Sequence, residues 1–110
     1  MINTDQSQLA GALDALWTRF LPDLESRIAL LESAAEAFRS GNLSQAQREE
    51  AHSAAHKLAG VLGTFGLTRG TDLARELETL YSDQDGQDSL PAESLAEIGA
   101  ELRRIVAARK

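Results

Sequence analysis

The run Ala55-His56-Lys57-Leu58-Ala59-Gly60, continued by Val61-Leu62-Gly63-Thr64-Phe65-Gly66-Leu67, sets one histidine among glycines near the end of a helical pattern. Imidazole exchanges protons near neutral pH, and its unprotonated ring nitrogen is a nucleophile. Residues four apart share a helix face, so Gly60 lies one turn beyond His56 and Gly63 about two turns beyond it. Each helical glycine costs roughly 1 kcal/mol relative to alanine. What the glycines provide is ground bare of side chains, where another molecule can come close to the ring. A catalytic histidine in an enzyme needs an orienting partner and a substrate pocket. A helix face offers no pocket. It does offer a ring nitrogen that an incoming domain can phosphorylate and later relieve of the group.

The other candidate chemistry is weaker. His52 and His56 form an i, i+4 pair of the kind that binds zinc, but there is no cysteine or third histidine, and Glu49 is the one nearby carboxylate on that face. His52 therefore reads as a surface residue, and no metal site is expected. The glycines match neither nucleotide-binding pattern, and no strand precedes them. Trp17, Phe20 and Phe38 read as core, and the charge run Arg48-Glu49-Glu50 reads as a solvated face.

The elements that must position His56 are helical throughout, since the apolar period stays near 3.6 and no segment alternates as a strand would. A first helix is predicted from Thr4 or Asp5 to Phe20, with Leu9, Leu13, Leu16 and Phe20 along one stripe. Pro22 either kinks a long helix or opens a new one. Leu24, Ile28, Leu31, Ala35 and Phe38 form the next stripe, stopped by Ser40-Gly41-Asn42. Ser44 caps the following helix, with Ala51, Ala55, Leu58 and Leu62 facing the core and Gly63 and Gly66 marking its end. At about 100° per residue this turns Glu49, His52, His56 and Gly60 toward solvent. Leu73, Leu77 and Leu80 carry another helix up to Tyr81. After a turn-rich loop over 82–88, a last helix starts near Ser89 to Pro91 and buries Leu95, Ile98, Leu102 and Ile105. The fold class expected is all-α: an up-down antiparallel four-helix bundle with an additional N-terminal helix, in a single domain over 1–110.

Composition narrows the function. The 110 residues carry a formal charge of −6, which argues against nucleic acid and anionic membrane as partners. The absence of cysteine excludes disulfides and thiolate metal sites and suits a reducing cytoplasm. The start, Met1-Ile2-Asn3-Thr4-Asp5, has no signal-peptide character, and no stretch has the length of a membrane span.

The sequence resembles the histidine-containing phosphotransfer (HPt) domain of two-component phosphorelays. That family's pattern is Ala-His-x-Leu-(Lys or Ala)-Gly, with glycines seven and ten residues after the histidine and then a hydrophobic residue. Here Ala55 to Gly60, then Gly63, Gly66 and Leu67, stand in that register, and Leu77-Glu78 matches a Leu-Glu pair common on the next helix. Gly63 to Leu67 is also similar to the phosphoacceptor domain of chemotaxis histidine kinases. The resemblance implies that His56 is the phosphoacceptor, Lys57 a cation near the phosphoryl oxygens, and Gly60 the patch of close approach. It implies that Glu78, 22 residues after His56, hydrogen-bonds Nδ1 and leaves Nε2 as the nucleophile; Glu76 is a weaker candidate. The docking face would centre on His52, His56, Lys57 and Gly60, with Val61 and Gly63 beside them. Ala59 departs from the lysine that many relatives carry, leaving Lys57 alone or with help from Arg69. The implied partners are response-regulator receiver domains or a hybrid histidine kinase. Mg²⁺ would come from the receiver, and this chain would bind no cofactor, have no kinase activity of its own and act as a monomer. The alternative is a helical adaptor of the same shape that carries no phosphate.

Overall fold

The computed structural model describes residues 2–82 and 92–109, and all regular structure among them is helical. Four helices follow in order: α1 (Ile2–Arg39), α2 (Gln45–Thr64), α3 (Thr68–Ser82) and α4 (Ala92–Ala108). Of the turn-rich loop expected over 82–88, Ser82 is instead the last residue of α3, and the rest, with the helix start expected at Ser89 to Pro91, lies outside the described residues.

The separate N-terminal helix expected from Pro22 is the first half of α1, which runs through the proline and is already helical at Ile2. Proline removes the hydrogen bond to the carbonyl four residues back. Pro22 and Thr18 both sit on the exposed side of α1, where water can take that carbonyl. The burial stripe meanwhile continues across the proline without a change of phase, through Trp17, Leu21, Leu24, Ile28, Leu31 and Ala35. Its regular steps of three and four favour one helix over two. At about 1.5 Å per residue, the 38 residues of α1 account for the 57 Å long dimension of the molecule. The stripe expected on its first half is corrected as well. Leu9, Leu16 and Phe20 are exposed, and Trp17 is the residue that enters the core.

Local signals set the other boundaries. Ser44 and Gln47 form a capping box: Ser44 Oγ accepts from the Gln47 N–H at 3.1 Å, and Gln47 Oε1 accepts from the Ser44 N–H at 3.3 Å. At the far end of α2, Gly66 takes φ +72°, which glycine adopts without strain. The Leu67 N–H then donates to the Leu62 carbonyl and the Gly66 N–H to the Gly63 carbonyl, satisfying the last turn. α1 closes in the same way at Gly41 (φ +76°).

α1 packs on α2 and α4, α2 on α3, and α3 on α4. The core stripe of α2 is buried as expected, with Ala54 and Ala59 added. On α3, Leu77 is buried between Ala74 and Tyr81, while Leu73 and Leu80 are half-buried. On α4, Leu95, Ile98 and Leu102 are buried, and Val106 takes the inner position expected for Ile105. Arg103 of α4 and Arg109, just beyond its end, both pair with α1. Arg103 grips Glu32 through two hydrogen bonds of 2.9 and 2.7 Å, which hold that carboxyl below its ordinary range. Arg109 pairs with Asp14 at 3.3 Å and lies over the rings of Trp17 and Phe65, at 4.9 and 5.2 Å from their centroids.

The tightest approach is between α2 and α3. A Cβ added at Gly70 would stand 2.9 Å from Leu62 Cδ1 and 3.4 Å from Ile105 Cγ2, and one at Gly63 would meet Thr71 Oγ1 at 3.6 Å. Thr71 Oγ1 also donates to the Ala59 carbonyl, at 3.5 Å. Because Leu62 is wholly buried, it has no room to swing aside. Gly70→Ala should therefore lower stability by about 1–3 kcal/mol, the range for overpacking, despite alanine's higher helix propensity. Urea unfolding measures this, and a variant as stable as the parent would mean that the two helices can separate freely.

Candidate functional site

The register of α2 on α3 brings His56 to Glu78. Gly63 faces Thr71; seven residues back along α2 is His56, and seven forward along α3 is Glu78, so the two helices run in opposite directions along this seam. His56 Nδ1 and Glu78 Oε2 are 2.7 Å apart. A carboxylate only accepts hydrogen bonds, so Nδ1 carries the proton and, in the neutral ring, Nε2 is left with its lone pair. The histidine side chain is 71% exposed against 26% for the glutamate. The carboxylate is thus half-sheltered at the seam while the imidazole stands out from it. His52 Nε2 is 4.0 Å from the same Oε2, which places Glu78 between two imidazoles.

Around His56 the ground is open. A Cβ at Gly60 would meet nothing within 4 Å. Lys57 is exposed and makes no ion pair among the described residues; one helical step of about 100° turns it away from α3. The remaining expected site residues separate. Gly63 is exposed, yet its contact with Thr71 makes it part of the seam as well as of the surface. Val61 is half-buried and packs against the core. Arg69 lies 3.9 Å from Glu101 of α4, engaged away from His56. Glu78 and not Glu76 meets the ring. Ala59 is 5% exposed and lies under Thr71, so the position three after the histidine faces the seam rather than the open surface.

The charge run read as a solvated face is not one at its first residue. Arg48 is buried, with no hydrogen-bond partner at any guanidinium nitrogen among the described residues. The signal was present in the spacing, since Arg48 precedes Ala51 by three residues and Ala55 by seven and so lies on the core stripe. Among the described residues no group of three His, Cys, Asp or Glu side chains could hold a metal ion, and no helix is long and apolar enough to cross a membrane.

The described helices thus carry an oriented imidazole on an open face. Comparison with known families names the class of protein. The family model "Hpt domain" matches residues 15–108, and the chain belongs to that family, the histidine-containing phosphotransfer domains of two-component phosphorelays. Its general role is accordingly phosphotransfer in such a relay. Among curated proteins it is similar to Protein RcaC of Microchaete diplosiphon, 37% identical over 73 residues, a match covering 66% of this chain and 11% of that protein. The chain thus corresponds to a small part of that relative's length. No solved structure matches it.

The Glu78 bond fixes the tautomer of His56, and its loss is directly measurable. In Glu78→Ala, ring ¹⁵N NMR should show His56 moving from the Nδ1–H form to a mixture that includes Nε2–H. An unchanged tautomer would mean that another acceptor holds Nδ1.

Proposed function

We propose that this domain is a phosphocarrier in which His56 Nε2 accepts a phosphoryl group from the aspartyl phosphate of one receiver domain and passes it to an aspartate of another. The observation that carries this reading is the 2.7 Å bond at Nδ1 together with an unobstructed Nε2 beside Gly60. In the accepting step the Nε2 lone pair forms the N–P bond as the P–O bond to the donor aspartate breaks, and the aspartate leaves as its carboxylate. The ring retains its Nδ1 proton and gains positive charge. Glu78 offsets that charge, as a carboxylate behind an imidazole does in other sites.

Phosphoryl transfer depends mainly on positioning and on charge stabilisation of the transferring group. The positioning comes from this chain. Mg²⁺ is assigned to the receiver, and Lys57 is the cation of this chain closest in sequence to the nucleophile, most effective once docking excludes water. The docking face comprises His52, His56, Lys57, Gly60 and Gly63, with Val61 at its edge. We read the four helices as an up-down antiparallel bundle working in the cytoplasm with receiver domains or a hybrid histidine kinase. The domain has no kinase activity of its own.

Incubation with a phosphorylated receiver should give an acid-labile, base-stable phosphoryl group on the wild type and none on His56→Gln. Phosphate on the variant would place the acceptor elsewhere, and a wild type that no receiver phosphorylates would favour the adaptor reading. Gly60→Ala separates access from folding. It should raise helix stability by about 1 kcal/mol and slow transfer about tenfold, equivalent to ~1.4 kcal/mol in the barrier. Thermal melts and the transfer rate report the two effects, and transfer at the parental rate would remove close approach from the mechanism.

A further inference from the structure

The large apolar side chains left exposed among the described residues all belong to the first half of α1: Leu9 at 63%, Leu16 at 39% and Phe20 at 39%. With the half-buried Leu13 they form one stripe, set at steps of four, three and four residues. The stripe does not face the core. Trp17 does, and Phe20 meets the edge of Phe65 at 6.4 Å between centroids. From Gln8 to Ala12 every residue is exposed, so no described residue covers this part of the helix on any side. α1 has 38 residues against the 20 of α2 and the 17 of α4, and its first turns run past both.

The stretch 83–91 cannot supply the cover. The helix ends that flank it lie beside Gln45 and Arg39. Arg39 is thirty residues along α1 from Leu9, about 45 Å at 1.5 Å per residue. The ten peptide steps from Ser82 to Ala92 reach at most about 36 Å when fully extended.

The spacing of the stripe identifies its occupant. Alternating steps of four and three are the rhythm of a two-stranded coiled-coil seam, where the partner is another helix. Four, three and four also reads the same in both directions. A second copy turned end for end therefore sets Leu9 against Phe20 and Leu13 against Leu16, with apolar meeting apolar at all four levels. Ala10 and Ala12 flank the seam and leave room for a second backbone. Charge agrees with this pairing. The chain carries −6, yet between Gln8 and Phe20 there is one acid and one base, and the acid, Asp14, is paired with Arg109. Two acidic molecules can meet here without mutual repulsion, and an antiparallel arrangement sends their bundles to opposite ends of the seam. It also opposes the two helix dipoles.

We propose that this stripe is the interface of a homodimer in which the first halves of two α1 helices pair antiparallel, in place of the monomer implied by the resemblance. A twofold contact of this kind is closed, so association stops at two.

Sedimentation equilibrium of the full chain, over a series from micromolar to millimolar concentration, reads the outcome. The expected mass rises from one chain to two and goes no further. Leu9→Glu should raise the dissociation constant about a hundredfold, roughly tenfold for each of the two buried leucines removed. Gly11→Glu adds the same charge on the opposite side of the helix, where a Cβ meets nothing within 4 Å, and should dimerise as the parent does. Equal weakening by both variants would be a general charge effect and would overturn the proposal. A parent that stays a single chain at millimolar concentration would do so too. If such a parent lost affinity on Leu9→Glu for a receiver domain that phosphorylates it, the occupant would be the receiver. Because the chain has no cysteine, linking by mild oxidation reads the direction of the helices. Leu9→Cys mixed with Phe20→Cys should give a linked pair. Leu9→Cys alone should not, since antiparallel copies place those residues about 16 Å apart along the seam. Ready linking of Leu9→Cys alone would mean parallel helices and would overturn the arrangement. The masses and links are read without phosphotransfer, so they stand or fall apart from the role proposed for His56.

Discussion

The closeness of α2 and α3 is the constraint on which the rest of this structure depends. It is set by what is missing from the seam: a side chain at Gly70, where a single added carbon would sit 2.9 Å from Leu62, and bulk at Gly63 and Ala59 opposite Thr71. A glutamate side chain has a short reach. Only with the backbones drawn together at Thr71 does Glu78, two turns further along α3, come within hydrogen-bond distance of an imidazole that otherwise stands in solvent. The small residues near His56 therefore work in two ways. Gly60 leaves the approach open, and Gly70 lets the neighbouring helix close in behind the ring.

Much of α2 was legible in the sequence because several independent signals agree there. Ser44 and Gln47 announce the start, Gly66 the stop, and Ala51, Ala55, Leu58 and Leu62 the buried face, so His56 could be placed outward by phase alone. The pairing with Glu78 was legible only through the resemblance, since spacing cannot say how two helices are set against each other. α1 was misjudged because proline speaks about one hydrogen bond, whereas continuity was decided by the burial stripe from Trp17 to Ala35, about five turns that cross the proline in phase. Arg48 was misjudged by residue type: a charge next to two glutamates suggests a solvated face, yet its phase put it on the core stripe. Gly70 gave no sign of its importance, because a close contact between α2, α3 and α4 exists only after packing.

Charge is distributed along the bundle with different degrees of shelter. The Arg103–Glu32 grip and the Arg109–Asp14 pair lie at the surface, and exposed pairs of this kind add little stability individually. Arg48 is different, since burial makes the identity of its partner a matter of consequence. His52, His56 and Glu78 occupy the middle ground. They are partly exposed, and both rings lie within 4.0 Å of one carboxylate oxygen.

The chain has a single tryptophan and a single tyrosine, and the fold sends them to opposite ends of α2. Trp17 lies edge-on to Phe65, 5.1 Å between centroids and beneath the Arg109 guanidinium, where α2 turns toward α3. Tyr81 lies beside Arg48, where α2 begins. The molecule thus carries two separate optical labels of its own. Indole emission belongs to the aromatic clasp at the glycine turn, and phenol absorbance belongs to the buried arginine. Opening at either end of the bundle is spectroscopically distinct without any added dye.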